Sequence, residues 1–330
     1  MKRIPIYVTI ILLSMTMTKV VGQKVVVQAP ALAKEIKKMR DEDQKMRIKW
    51  SGMIKKGKSE TVKFKQLTQA LIAKDRANTA RMREIINQYG WPTYDLVGRG
   101  SSNSAWLIVQ HADRNPLFQI KCLSLLKEAV DANQADPSNY AYLYDRVQVA
   151  KGETQRYATQ SSSNNGLYEG NFFPIEDESN VQKRREAMNI EQSIEDYASA
   201  MGFSYVIPTE QEAIKRAQSL QNAYQLNLQK AQEATQLKDY EQAATSYLLV
   251  TQAFGLVNTE DFVEAARVLS LSKHKEARQG TGFLLKAMVR GWDGFDEVRD
   301  HLVFAHLKEI SPANWEDFIK TAEEMALDRQ

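Results

Sequence analysis

The sequence predicts an all-α protein, and three observations support this fold class. Apolar residues recur at helical spacing along most of the chain, beginning with residues 30–50. Capping residues such as Asn115 and Asp136 stand directly before proline, as they do at helix starts. Only residues 154–160 alternate like a strand. We expect an N-terminal helical domain with one short extended segment, followed by a tetratricopeptide-like array of helical hairpins.

The N-terminus has the pattern of a secretory signal peptide. Lys2 and Arg3 precede a short apolar run, and Gly22 supplies a small residue at the end. The run is shorter than the ~20 apolar residues that a spanning helix needs. We therefore expect residues 1–22 to be removed and the protein to be exported, either periplasmic or secreted, with no membrane span after cleavage.

Composition limits the kinds of partner and site. The 330 residues carry a formal charge of +3, and removal of Lys2, Arg3 and Lys19 with the signal peptide brings it to zero. A neutral chain gives no reason to expect nucleic acid as a partner. Cys122, the only cysteine, lies among apolar neighbours and is expected to be a buried, unreactive thiol. We expect no disulfide, no metal site and no cofactor.

The predicted elements follow in order. A helix over 30–50 and a Gly- and Lys-rich break lead to a second helix from about Thr61 to Gln88. A third helix ends near His111, a fourth begins at Pro116, and a fifth runs from Pro137 to a stop at Gly152. Residues 153–160 should be extended, 161–174 a loop and 181–201 one helix.

The motif "GFSYVIP" at 202–208 marks the predicted domain boundary, which separates a helical domain of residues 23–207 from a second of residues 208–330. Thr209 and Glu212 form a capping box just beyond it. In residues 227–253, alanines on one helix face small and aromatic residues on the next, which resembles a tetratricopeptide repeat. An ordinary helical bundle is the alternative. Helical pairs at 260–290 and 295–327 would follow, and this domain would contact an unknown protein partner.

Polar residues interrupt two apolar helix faces. Asp43 falls between Met39 and Met46 on the first helix, with Arg47 one turn further on. Asp75 and Asn78 interrupt the apolar face of the second helix in the same way. Burying an unpaired charge is costly, so these residues either form a polar cluster between the helices or lie exposed on rotated helices.

A second group of polar residues lies in the central region. His111 and Asp113 stand where the third helix should end, so His111 is either a helix cap or part of a site. Asp145 and Arg146 belong to a polar stripe on the fifth helix. Alternation predicts that Gln155, Tyr157 and Thr159 share one face of the extended segment.

Five ordered blocks resemble an uncharacterised family of bacterial proteins with no assigned activity. They are "LAKEIKKMRDEDQKMR", "IINQYGWPTYDLVG", "AWLIVQHADRNPLFQ", "YAYLYDRVQVAKGETQRYATQ" and "PIEDESNVQKRREAM", between about Leu32 and Tyr205. The family pattern often has glycine where this chain has Ala158. The resemblance implies motif positions at Asp43, Gln44, Arg47, Trp91, Gln110, His111, Asp113, Gln119, Asp145, Arg146, Gln155, Tyr157, Thr159 and Gln160.

Two hypotheses about function remain open. The first is an exported binding protein whose pocket holds a small polar or acidic ligand through residues that include Arg47 and Arg146. Its candidate ligand-binding residues are Asp43, Gln44, Arg47, Gln119, Arg146, Gln155, Tyr157 and Gln160. The second is a hydrolase or transferase, with His111, Asp113 and Asp145 as the catalytic candidates and Arg146 stabilising negative charge. We expect Asp43, Arg47, His111, Asp145 and Arg146 to converge in space.

Overall fold

A computed structural model describes residues 27–162, 171–300 and 302–328. The predicted signal peptide lies outside these residues. The described chain is all-α, as predicted, and its helices are α1 (Pro30–Lys55), α2 (Val62–Tyr89), α3 (Tyr94–Val97), α4 (Arg99–Gln110), α5 (Pro116–Asp131), α6 (Pro137–Lys151), α7 (Val181–Ala187), α8 (Ile194–Met201), α9 (Glu210–Gln236), α10 (Tyr240–Val250), α11 (Thr259–Leu271), α12 (Gly280–Val289), α13 (Phe295–Asp300), α14 (Ala305–Ile310) and α15 (Pro312–Asp328). No helix in these ranges is long and apolar enough to cross a membrane.

Local sequence signals set the helix ends as predicted. Asn115 and Asp136 each accept a backbone N–H at the start of α5 and α6, with proline in the first turn. Thr209 and Glu212 form both hydrogen bonds of a capping box at the start of α9. The first helix runs five residues further than the pattern predicted, to Lys55, because the break follows "SGMIK" rather than preceding it.

Helices α1, α2, α4, α5 and α6 enclose the core of the N-terminal region. Its fully buried side chains include Ile36, Met82, Phe118 and Leu143. Cys122 belongs to this core and is fully buried, as predicted, and burial raises the pKa of its thiol. Each of these helices buries one face in this core. Their other faces, which carry the polar residues that interrupt the apolar pattern, contact neighbouring helices or the surface.

The segment after α6 is non-helical and alternates like a strand only in part. Residues 157–159 are all buried, because Ala158 takes a left-handed backbone conformation (φ 51°) that breaks the alternation. Gln155, Tyr157 and Thr159 are all buried and Arg156 is exposed, as alternation predicts, but the burial of Ala158 shows that the alternation holds only in part. Strand pairing occurs just beyond, where β1 (Ser161–Ser162) pairs antiparallel with β2 (Asn171–Phe172).

The single helix predicted over 181–201 is two helices. After α7 the chain turns through Asn189, which is left-handed (φ 57°), and Ser193 caps α8. Arg185 of α7 is fully buried and donates to the carbonyls of Tyr157 and Ala158. The turn allows α7 and α8 to pack around the 155–160 segment instead of extending away from it.

The C-terminal region begins with α9 and α10, which are joined by a short turn and pack on each other. Ala231 and Ala234 of α9 and Ala243 of α10 are buried between them. Helices α11 and α12 form the next pair, and α14 packs with α15. Helix α15 also packs against α5, so the end of the chain returns to the N-terminal region.

The end of α6 joins the two regions. Lys286 of α12 donates to the carbonyl of Val149 (3.1 Å), and Arg290, which follows α12, donates to the carbonyl of Lys151 (3.3 Å). Burial lowers the pKa of Lys286 to about 8. Gly152 is left-handed (φ 77°), and a Cβ there would meet the Phe262 ring at 2.8 Å. Only glycine therefore fits between α6 and α11 at this position.

We predict that Asp145→Asn lowers the free energy of unfolding by about 2–4 kcal/mol, because a fully buried carboxylate that accepts several N–H bonds is replaced by a group with its own donor. Urea denaturation followed by circular dichroism at 222 nm measures this. Glu128→Gln on the exposed face of α5 is the control and should change stability by less than about 0.5 kcal/mol. Equal effects of the two substitutions would contradict the prediction.

Candidate functional site

A buried carboxylate on α1 organises the candidate site. Asp43 is 1% exposed and accepts hydrogen bonds from Gln44 Nε2 (3.0 Å), Arg47 Nε (3.0 Å) and His111 Nδ1 (2.8 Å). Burial opposes the ionisation of Asp43, but the bond and charge of His111 and the charge of Arg47 outweigh it and lower its pKa. Asp43 therefore stays ionised and holds three side chains in place.

Arg47 connects this carboxylate to a second one on α2. Its Nη2 lies 2.5 Å from Asp75 Oδ1, so one guanidinium bridges Asp43 and Asp75. Burial raises the pKa of Asp75 to about 6, helped by the negative charge of Asp43 and opposed by Arg47. The two carboxyl groups thus differ in proton affinity, although they share one arginine.

His111 ends α4 and also belongs to the site. Its backbone N–H donates to the carbonyl of Ile108, which places the residue at the helix terminus. Its Nδ1 contacts Asp43, so in the neutral ring Nδ1 carries the proton and Nε2 the lone pair. No partner for Nε2 occurs among the described residues. The His111 side chain therefore belongs to the site and is not the side-chain cap of the helix carbonyls that we considered as the alternative, although the residue occupies the C-cap position of α4.

His111 lines a cavity of about 220 Å³ between α1, α2, the 111–115 turn and α15. Apolar and charged side chains both contribute to its wall. The lining residues are Arg47, Trp50, Thr68, Leu71, Ile72, Asp75, Arg76, Thr79, His111, Ala112, Asp113, Arg114, Asn115 and Glu324. Three arginines face three carboxylates among them, so the formal charges of the wall balance.

Asp113 and Arg146 form an ion pair at the edge of this site. Arg146 Nη1 lies 2.7 Å from Asp113 Oδ1, and the Asp113 side chain is 58% exposed. Arg146 does not line the cavity. Gln119 is fully buried, and its Nε2 donates to the carbonyls of Val109 and Gln110 at the end of α4. Gln119 therefore holds the helix end that carries His111 rather than facing the cavity.

Asp145 does not join the cluster, and our expectation that it would converge with His111 is wrong. Its carboxylate accepts from the backbone N–H groups of Arg156, Tyr157 and Thr159 and from the Thr159 hydroxyl. Neighbouring residues on a helix point about 100° apart, so Asp145 faces this segment while Arg146 faces Asp113. With every contact made to the loop, Asp145 is a structural carboxylate.

The remaining predicted ligand-binding residues support the same segment. Gln155 is fully buried; its Nε2 donates to the carbonyls of Gln160 and Phe173, and its Oε1 accepts from the backbone of Gln160. Gln160 Nε2 donates back to Thr159. Tyr157 is buried beside Tyr144. Gln155, Tyr157 and Gln160 therefore fix the loop and do not line the cavity at His111.

Arg76, Arg114 and Glu324 line the cavity but were not predicted. Arg76 sits one residue beyond Asp75, and Arg114 follows Asp113, so both flanked residues that the sequence had singled out. Glu324 comes from α15, which is more than 200 residues from His111 in sequence, and no local signal indicates that approach. Within 27–162, 171–300 and 302–328, no group of three metal-binding side chains is placed to hold a metal ion.

We predict that Asp75→Asn changes how stability depends on pH. A carboxyl whose pKa rises on folding stabilises the fold fully below its unfolded pKa, and that contribution is lost as the pH rises through about 6. The free energy of unfolding of the variant should therefore increase relative to the natural protein between pH 4 and 7, by on the order of 2 kcal/mol.

Thermal or urea unfolding across this pH range tests the prediction. Glu42→Gln is the matched control, because Lys74 lowers the pKa of Glu42 and the difference should change with the opposite sign. A difference between Asp75→Asn and the natural protein that does not vary with pH would show that Asp75 is not perturbed by burial.

Comparison with known proteins identifies the family of this chain but assigns no activity to it. A family of unknown function (DUF6624) matches residues 30–208, which is more than half of the chain and contains α1 to α8. No curated protein and no solved structure matches the chain. Asp43, Arg47, Asp75 and His111 all lie in the matched region, whereas Glu324 lies beyond it. The chain thus belongs to the DUF6624 family of unknown function.

Proposed function

We propose that this protein is an exported binding protein whose cavity at His111 holds a small polar ligand. The observation that carries the proposal is the 2.8 Å hydrogen bond from His111 Nδ1 to the buried Asp43 carboxylate. It fixes the imidazole ring and leaves the Nε2 lone pair without a partner among the described residues. Asp75 lies on the facing helix, and Arg47 ties it to the same carboxylate.

The groups left open in the cavity favour a ligand with hydrogen-bond donors. Arg47 is engaged by Asp43 and Asp75 and does not present the free fork that our sequence-based hypothesis assigned to it, whereas Arg146 pairs with Asp113 and does not line the cavity. The lone pair of His111 Nε2 and the second oxygen of Asp75 are acceptors. Hydroxyl, amide or ammonium groups would satisfy them, beside the apolar surface of Trp50, Leu71 and Ile72.

The same geometry supports hydrolysis as a second candidate function. A buried carboxylate that orients a histidine through Nδ1 holds the Nε2 lone pair in a fixed position, from which it could take a proton from water. Asp43 fills this role in place of Asp145 or Asp113, which our sequence-based hypothesis named. Asp75, with its raised pKa, would be the acid that returns a proton to the leaving group.

The C-terminal helices are proposed to bind a protein partner. The buried alanines between α9 and α10 support the resemblance to a tetratricopeptide repeat, because small residues allow paired helices to approach closely. Leu226 and Leu237 of this hairpin are largely exposed. They offer apolar contacts outside the region that the family covers.

Substitution of His111 separates the two candidate functions. A panel of amino acids, dipeptides, amides and monosaccharides is screened by ligand-detected NMR and for hydrolytic turnover. If the protein is a binder, His111→Gln lowers the affinity for a ligand found in the screen by about tenfold, since one hydrogen bond of about 1.4 kcal/mol is lost.

If the protein is a hydrolase, His111→Ala lowers turnover by ~10²–10⁴ with little change in KM. His306→Gln, outside the cavity, is the control, and equal effects of His306→Gln and His111→Gln would refute both candidates.

We also predict that the mature protein begins at or near Gln23. The basic start, short apolar run and Gly22 motivate this prediction. Expression of the full chain in a Gram-negative host, fractionation and N-terminal sequencing of the envelope material test it. An intact Met1 on protein recovered from the cytoplasm would rule out export.

A further inference from the structure

Two arginines from the family region meet one carboxylate from outside it. Arg76 Nη2 of α2 lies 2.9 Å from Asp317 Oδ1, and Arg114 Nε of the 111–115 turn lies 3.1 Å from Asp317 Oδ2. Asp317 belongs to α15, far beyond residue 208, where the family match ends. The family region therefore presents a pair of guanidinium groups that converge on one anionic position.

A second carboxylate of α15 completes the contact. Glu324 Oε2 lies 2.5 Å from Arg76 Nη1, and Thr321 Oγ1 accepts from Arg76 Nη2 at 3.0 Å. Residues 317, 321 and 324 are four and three positions apart, which places them on one face of the helix. The Arg76 side chain is only 10% exposed, so its charge requires an anionic neighbour.

These arginines belong to the same cavity as His111. Arg76, Arg114 and Glu324 all contribute to its wall, together with Asp75 and His111. Planar guanidinium groups match the geometry of a carboxylate, and here the chain itself supplies the carboxylates. Asp317 is 38% exposed and Arg114 is 36% exposed, so this contact lies at the open side of the cavity rather than in its depth.

We propose that Arg76 and Arg114 form the subsite for a carboxylate group of the ligand, and that α15 fills this subsite with Asp317 and Glu324 when no ligand is bound. The proposal rests on the proposed function, because it assigns the second end of the same ligand. The ligand class is then a small carboxylic acid that also carries a hydroxyl or amide donor. The carboxylate meets the two arginines while the donor reaches His111 and Asp75.

This assignment has a consequence for the bound state. A ligand carboxylate competes with the side chains of Asp317 and Glu324 for the two guanidinium groups, so binding loosens α15. Salt screens ion pairs that are partly exposed. It therefore weakens both the ion pairs of the arginines with α15 and their ion pairs with the ligand carboxylate. Removing the competing carboxylates should therefore reveal the affinity of the arginines for a simple carboxylate.

Succinate, measured by isothermal titration calorimetry on the full chain at low ionic strength, is the probe. The double variant Asp317→Asn, Glu324→Gln should bind succinate at least about tenfold more tightly than the natural protein. Adding Arg114→Gln should remove this gain. Glu323→Gln is the matched control, because it removes an exposed carboxylate from the same helix that does not contact Arg76. Circular dichroism verifies that each variant folds, and the single Asp317→Asn variant replaces the double one if it does not.

Equal succinate affinity in the natural protein and the double variant would overturn the proposal, as would a gain that survives Arg114→Gln. An equal gain for inorganic phosphate would overturn the assignment to a carboxylate. His111→Gln in the double-variant background keeps this test separate from the proposed function. The succinate gain should persist there, because succinate lacks the donor that His111 would accept. Loss of the gain only on Arg114→Gln supports the subsite even if the screen finds no ligand that depends on His111.

Discussion

The buried carboxylate of Asp43 is the charge on which the arrangement of the candidate site depends. A carboxylate removed from water must be neutralised and hydrogen-bonded, and α1 alone supplies only Gln44 and Arg47 for this. The remaining donor is His111 at the end of α4, so satisfying Asp43 fixes the position of α4 against α1. Arg47 extends the same requirement to Asp75 and so to α2. One buried charge thereby aligns three helices around a cavity.

A second buried carboxylate, Asp145, organises a different part of the family region. Its carboxylate accepts hydrogen bonds from backbone N–H groups of the 156–159 segment, and Arg185 donates hydrogen bonds to backbone carbonyls of the same segment. Two of the family blocks, which contain these residues, therefore serve the folding of one loop. Ala158, where the family pattern often has glycine, holds a left-handed conformation within that loop, which explains why glycine suits the position.

Sequence reasoning located those parts of the site whose physical cause is local. Asp43 and Arg47 are four residues apart on one helix, and an acid on an apolar face already implies a partner, so the contact of this pair was predictable. The capping signals at Asn115 and Asp136 likewise act within a single turn. Asp145 and Arg146 misled us because they are adjacent in sequence, and adjacency on a helix separates side chains. The approach of Asp317 to Arg114 could not be predicted, since Asp317 is one of several acids on an acidic helix, and only the packing of the whole chain selects it.

The contacts at the end of α6 determine how the two regions of the molecule unfold. The carbonyls of Val149 and Lys151 receive their hydrogen bonds from α12, and Gly152 packs directly on Phe262. Helix α15 also packs against α5, which adds a second contact between the two regions. Separating the two regions would break these hydrogen bonds and the ion pairs of Arg76 and Arg114, and it would expose the contact of Gly152 with Phe262 to water. The two regions should consequently melt in one cooperative transition.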